Sequence, residues 1–133
     1  VEIIIVIAIF AVLITLGLFM SMDTFHGAIY RSEKDIIVSV LQKARSRAMA
    51  NIYQTPWGVC YIAPDYVIFR GTACVAGLPT NETIPASATS NVTFSAPFVF
   101  SQLSATTTGG TVTIVHGGHT STITVNHEGI INW

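Results

Sequence analysis

The chain has 133 residues, half of them hydrophobic and a tenth charged, with six Lys and Arg against seven Asp and Glu for a formal net charge of −1. That balance excludes a disordered chain, which lacks the apolar residues for a core, and it removes the basic excess on which nucleic-acid binding rests. The length allows one domain and at most one membrane-length segment.

Residues 1–20 are almost wholly apolar, with a single charge at Glu2. About 20 helical residues rise ~30 Å, enough to span a bilayer. No basic region precedes the run and no small-residue cleavage site follows it, so it does not read as a secretory signal peptide. A chain this short has too little protein to surround such a helix, so the segment belongs in lipid or against copies of itself. A carboxylate there is costly to keep in hydrocarbon, and something outside the segment should satisfy it. Two other readings of Glu2 stand beside this one: snorkelling to the headgroups, and attraction to the helix dipole at an N-terminus.

No proline occurs before Pro56, which predicts one helix from residue 1 to about residue 52, interrupted only by the weak points Gly17 and Gly27. From residue 29 the pattern becomes amphipathic. Ile29, Ile36, Ile37, Val40, Leu41, Ala44 and Ala48 recur at three- and four-residue steps, with Arg31, Glu33, Lys34, Asp35, Gln42, Lys43 and Arg45 filling much of the rest. Three regions follow: a hydrophobic stem and transmembrane segment at 1–22, an amphipathic helix at 23–52 and a β-rich head at 53–133.

After Pro56 the period falls to two. Residues 58–62 and 66–70 read as strands around Ala63-Pro64-Asp65, and 72–90 reads as a long Gly-, Pro- and Thr-rich surface loop. Residues 92–94 and 98–103 are strand candidates. A hairpin over 111–125 turns at Gly117-Gly118, which suits a type I′ turn and sets Val112 opposite Ile123 and Ile114 opposite Ser121. A short strand at 129–133 would complete one antiparallel sheet resting on the amphipathic helix. The predicted fold class is α+β.

Cys60 and Cys74 are fourteen residues apart and could close a loop worth ~3 kcal/mol if oxidised. A structural disulfide in an oxidising compartment is favoured over a redox or metal site, because neither cysteine sits in a Cys-x-x-Cys motif. His116 and His119 flank the Gly-Gly turn, where two imidazoles make an incomplete metal site or a plain exposed hairpin tip. Lys43, Arg45 and Arg47 form a basic cluster expected to pair with acidic groups between subunits or to face solvent. After Arg70 the chain has no Lys or Arg, so nucleic acid is not an expected partner. Asn81-Glu82-Thr83 and Asn91-Val92-Thr93 fit the glycosylation sequon, making Asn81 and Asn91 candidate acceptors, and the Ser/Thr-rich loops could carry O-linked sugars. No set of nucleophile, base and acid is spaced for catalysis, and no cofactor or metal is expected.

The stem Val1-Glu2-Ile3-Ile4-Ile5-Val6-Ile7-Ala8-Ile9-Phe10, leading into a long helix and a β head, resembles the type IV pilins and the type II secretion pseudopilins. Leu41-Gln42-Lys43-Ala44-Arg45-Ser46-Arg47-Ala48-Met49-Ala50-Asn51, with the blocks Phe98-Val99-Phe100, Gly109 to Ile114 and Ile123 to Ile130, resembles the GspH/FimT branch. Family members open on an N-methylated Phe or Met followed by Thr-Leu and Val or Ile before the glutamate. The resemblance therefore implies three further residues ahead of Val1, after removal of a leader by a prepilin peptidase. It implies a structural, non-enzymatic subunit that waits in the inner membrane and is then built by a pilus assembly machinery into a helical homo-oligomeric filament. In that filament Glu2 would meet a neighbour's N-terminal amine, and Ile3, Ile4, Ile5, Ile7, Phe10, Leu13 and Leu16 would pack the core. The reading it favours is an extracellular type IV pilus-like filament subunit. The alternative is a minor pseudopilin of a type II secretion or competence machine. The family's calcium-site signature is missing, as is the stem proline of many pilins.

Overall fold

The computed structural model describes residues 2–133, and the side chains of 2–17 and 27–133. Helix α1 runs Glu2–Met49 without interruption, a rod of about 72 Å at 1.5 Å per residue. It stops three residues earlier than its apolar pattern predicts. Asn51 adopts φ 52°, the left-handed conformation that asparagine tolerates and that ends helices. A 3-10 turn follows at Ile52–Gln54, with Tyr53 and Gln54 also at positive φ. The Ala48 carbonyl accepts from the Asn51 N–H at 3.1 Å and also from the Leu103 N–H at 2.9 Å, which ties the helix end to the segment after β5.

The head contains two four-stranded antiparallel sheets where the sequence predicted one. The first is built from β1 (Trp57–Ile62), β2 (Asp65–Arg70), β3 (Glu82–Pro85) and β5 (Phe98–Phe100), in the order β3-β2-β1-β5. The second is built from β4 (Asn91–Phe94), β6 (Gly110–His116), β7 (His119–Val125) and β8 (Ile131–Asn132), in the order β4-β6-β7-β8. The chain changes sheets three times, after β3, after β4 and after β5, the second crossing running through Ser95-Ala96-Pro97. A proline there cannot extend a ladder, and Ser95 ends the β4 pairing with its N–H on the Thr111 carbonyl.

Three other differences from the predicted elements have local causes. β3 lies inside the segment read as loop. It has only four residues and ends on Pro85, too short for alternation to register, and it gains strand character by pairing with β2. β5 ends at Phe100 because Leu103 and Ala105 turn the chain at positive φ. β8 is two residues long, held against the end of β7. The β6–β7 register matches the predicted one, with Val112 opposite Ile123 and Ile114 opposite Ser121. Gly117 and Gly118 carry φ of 54° and 80°, the double positive value that a type I′ turn requires.

The main core lies between α1 and the two sheets. Ile37, Val40, Leu41, Ala44 and Ala48 are fully buried against Val59, Ile68, Phe100, Val112 and Ile123, among others. A smaller cluster of Cys60, Val67 and Phe69 fills the outer face of the first sheet. There the Phe69 ring covers Gly58 so closely that any Cβ at Gly58 would fall 2.3 Å from Phe69 Cζ and 2.6 Å from the Phe98 carbonyl oxygen. Glycine is the residue that lets this ring and backbone approach. The outer cluster is closed by the disulfide between Cys60 and Cys74, Cα–Cα 6.4 Å, which holds the loop at 71–81 over the sheet.

Candidate functional site

Among the described residues, the apolar side chains of 3–16 stand exposed along the stem of α1. Ile3, Ile4, Ile5, Ile7, Phe10, Leu13 and Leu16 are between 54% and 74% exposed, although monomeric soluble proteins rarely leave large contiguous apolar patches open. Within 3–17 the lone polar side chain, Thr15, bonds back to the Ala11 carbonyl at 3.0 Å, so these fifteen residues present an apolar side-chain surface. Glu2 is exposed in the first helical turn, where the helix dipole favours a negative charge. It has no ion-pair partner among the described residues. Also among the described residues, no helix is long and apolar enough to cross a membrane. The span predicted at 1–22 includes Val1 and the side chains of 18–22, which lie outside them. The surface is therefore an apolar rod with one acid at its tip, suited chemically to packing and to one charge contact.

The head-bound half of α1 carries a polar site that the sequence reading missed. Glu33, counted there among the solvent-facing residues, is 1% exposed. Its Oε1 accepts from the Tyr66 hydroxyl and its Oε2 accepts from the Ser87 N–H at 3.0 Å. Burial, then the Glu33 carboxylate, pushes the Tyr66 phenol well above the ordinary tyrosine range. The signal was present: Glu33 lies four residues before Ile37, on the stripe that continues through Val40, Leu41, Ala44 and Ala48. A buried acid on an apolar stripe demands partners from another element, and β2 and the segment after β3 supply them.

Two of the three basic residues on α1, Lys43 and Arg47, pair within the chain, where intersubunit or solvent contacts were expected. Lys43 Nζ bonds Glu82 Oε1, and Arg47 Nη2 bonds Glu82 Oε2 at 2.7 Å. The Lys43 hydrogen bond is the largest effect on the Glu82 carboxyl and, against desolvation and with help from Arg47, holds it below the usual carboxylate range. Arg45 is half-buried, and its Nε has no hydrogen-bond partner.

The remaining predicted residues are scattered over the head. His116 is not at an open tip: it is buried, and its Nδ1–H donates to the Thr89 carbonyl at 2.9 Å. His119, its cross-strand neighbour, lies beside the Tyr30 ring of α1 at 5.9 Å. Among the described residues no group of three His, Cys, Asp or Glu could hold a metal ion. Asn91 is exposed at the start of β4. Asn81 is half-buried, with Nδ2 donating to the Val75 carbonyl at 2.7 Å.

A single long helix, unpartnered over its first third and buried in a small antiparallel β head over its last, defines the pilin-like class of α+β proteins. A family model described as type II transport protein GspH matches residues 36–129, most of the chain. The protein belongs to that family, in the pilin and pseudopilin superfamily. The family is structural, not catalytic, and its members are pseudopilins anchored in the cell envelope that assemble with other subunits into a secretion pseudopilus. No curated protein and no solved structure matches the chain.

Proposed function

We propose that this protein is a filament-forming pseudopilin that polymerises through the stem half of α1. The exposed apolar side chains of residues 3–16 carry the reading. Left in water they forfeit roughly 25 cal/mol for every Å² they could bury, and neighbouring copies offer matching surfaces. Before assembly the same rod sits in the inner membrane, with the remainder of the stem at 17–22 completing the span. A prepilin peptidase would release it to the assembly machinery and leave an N-methylated amine. Glu2 then sets the register, because a carboxylate in an apolar interface is satisfied at one axial position, beside a neighbour's amine. Cys60–Cys74 fits an oxidising compartment outside the cytoplasmic membrane.

Family membership supports a type II secretion pseudopilus as the filament. The long unpartnered stem is equally suited to an extracellular type IV pilus-like fibre, for which adhesion or motility would be the output. Cysteines introduced at Ile3 and Leu13 test polymerisation: oxidation in intact cells should give ladders of cross-linked copies that disappear when the assembly machinery is removed. A monomeric anchor would give no ladder, and that result overturns the proposal. Deleting the gene then separates the two filaments. Loss of protein export with surface fibres intact identifies the pseudopilus, and loss of the fibres identifies the pilus.

A further inference from the structure

At the end of α1 farthest from Glu2, five elements meet around a cleft of about 500 Å³ lined by Arg47, Tyr53, Trp57, Arg70, Thr80 and Glu82, among others. The last helical turn supplies Arg47, the 3-10 turn supplies Tyr53, and β1 and β2 supply Trp57 and Arg70, which face each other in register. The Arg47 guanidinium lies 4.9 Å from the centre of the Trp57 ring, and that of Arg70 lies 4.7 Å from the centre of the Tyr53 ring. A guanidinium over a ring keeps its hydrogen-bonding edge oriented; that of Arg47 is taken by Glu82.

Charge at the cleft is unbalanced. Lys43 and Arg47 share Glu82, while Arg70 has no carboxylate partner among the described residues. Three cations therefore meet one carboxylate, a local excess of positive charge in a chain whose net charge is −1. Tyr53 adds an apolar platform and is 71% exposed. It is held there at φ 62°, a conformation that costs a bulky residue about 1–3 kcal/mol and persists where surrounding contacts enforce it. Those contacts are visible: the Trp57 indole N–H donates to the Ile52 carbonyl at 3.0 Å, and the Gln54 N–H donates to the Asn51 carbonyl at 3.0 Å. Strain is thus spent on presenting an aromatic ring to solvent beside an arginine that has no carboxylate partner among the described residues.

We propose that this cleft docks an acidic segment of a partner protein, with a carboxylate on the Arg70 guanidinium and an adjacent apolar side chain on Tyr53. The charge excess selects an anion, and the Arg70 fork suits a planar carboxylate in two-point contact. The aromatic platform selects a group with an apolar neighbour, which favours a peptide over a small inorganic anion. The site is at the opposite end of α1 from the stem and does not depend on polymerisation.

The full chain in detergent micelles is titrated with a fluorescent, acetylated and amidated peptide, Gly-Asp-Phe-Glu-Gly, and with its neutral counterpart Gly-Asn-Phe-Gln-Gly, following anisotropy. Saturable binding of the acidic peptide alone is expected, weakening as salt rises. Arg70→Gln should weaken it about tenfold or more, and Tyr53→Ala should weaken it less, while Glu2→Ala binds like the parent protein. Should Arg70→Gln fail to fold, Arg70→Lys keeps the charge and loses the planar fork, and its binding should still fall. The proposal is overturned if neither peptide binds, if both bind alike, or if the Arg70 variants bind as the parent does. It is also overturned if an oligothymidylate binds more tightly than the acidic peptide through the same arginine, which would make the cleft a nucleic-acid site.

Discussion

Glu33 and Tyr66 show how one buried pair ties the rod to the head. Tyr66→Phe removes the hydroxyl and leaves Glu33 Oε1 buried without its donor, a loss of about 1–3 kcal/mol readable by urea denaturation of the full chain in detergent. The same pair makes stability depend on pH at the alkaline end. Because the folded phenol titrates well above the ordinary value, its contribution is complete below pH ~10. Above that, the unfolded chain loses a proton that the folded chain keeps, and stability falls by about 1.4 kcal/mol per pH unit. Tyr66→Phe should flatten that slope, and an unchanged slope would show that other groups cause it. Glu82 acts in the opposite direction. Its depressed folded pKa stabilises above the ordinary carboxylate range and is lost as pH falls through the folded value. The pair is partly solvent-exposed, so Glu82→Gln should cost no more than ~1 kcal/mol at neutral pH.

At the scale of elements, the outer face of the first sheet depends on a covalent strap more than on area. Cys60, Val67 and Phe69 form a small cluster, and Cys74 ties the loop covering it covalently to β1. Opening the 14-residue loop by Cys74→Ser should destabilise the head by roughly 3 kcal/mol, measured against the oxidised parent in the same denaturant. Protease sensitivity should rise first within 71–81. The helix face behaves differently, because its grip is spread over several turns. Leu41→Ala, at a position with no exposure, should cost about 2–5 kcal/mol, and a loss well under 1 kcal/mol would mean the helix–sheet interface repacks freely.

For the whole molecule, the consequence of this architecture is a division of labour along a single helix. The last third of α1 packs into the head, and the apolar side chains of the first third stand exposed among the described residues. Glu2→Ala should therefore leave both head stability and membrane insertion unchanged and still impair incorporation into filaments. Measured as the ratio of polymerised to membrane-held protein, the loss should be severe, since an unpaired buried amine costs ~3–5 kcal/mol at each interface. Normal filaments from the variant would remove Glu2 from the assembly step.

Much of this was legible in the amino-acid order. The helix, the Gly117-Gly118 hairpin and its register follow from local chemistry: apolar period, absence of proline and two adjacent residues free to take positive φ. The stripe from Ile37 to Ala48 named the buried face of the rod. What local pattern could not supply was partnership at a distance. β3 is a strand because β2 offers it a ladder, and one expected sheet became two because the chain passes between sheets after β3, β4 and β5 and pairs strands far apart in sequence. Glu33 is buried because Tyr66 and the Ser87 N–H, more than thirty residues away, can satisfy it. Lys43 and Arg47 pair with Glu82 for the same reason, while Arg70, beside them at the cleft, has no carboxylate partner among the described residues. Sequence alone determined which segments bury apolar surface, since that depends on spacing along the chain. Tertiary structure decided which charges are spent inside the molecule and which remain for a partner, because electrostatic pairing depends on distance in space.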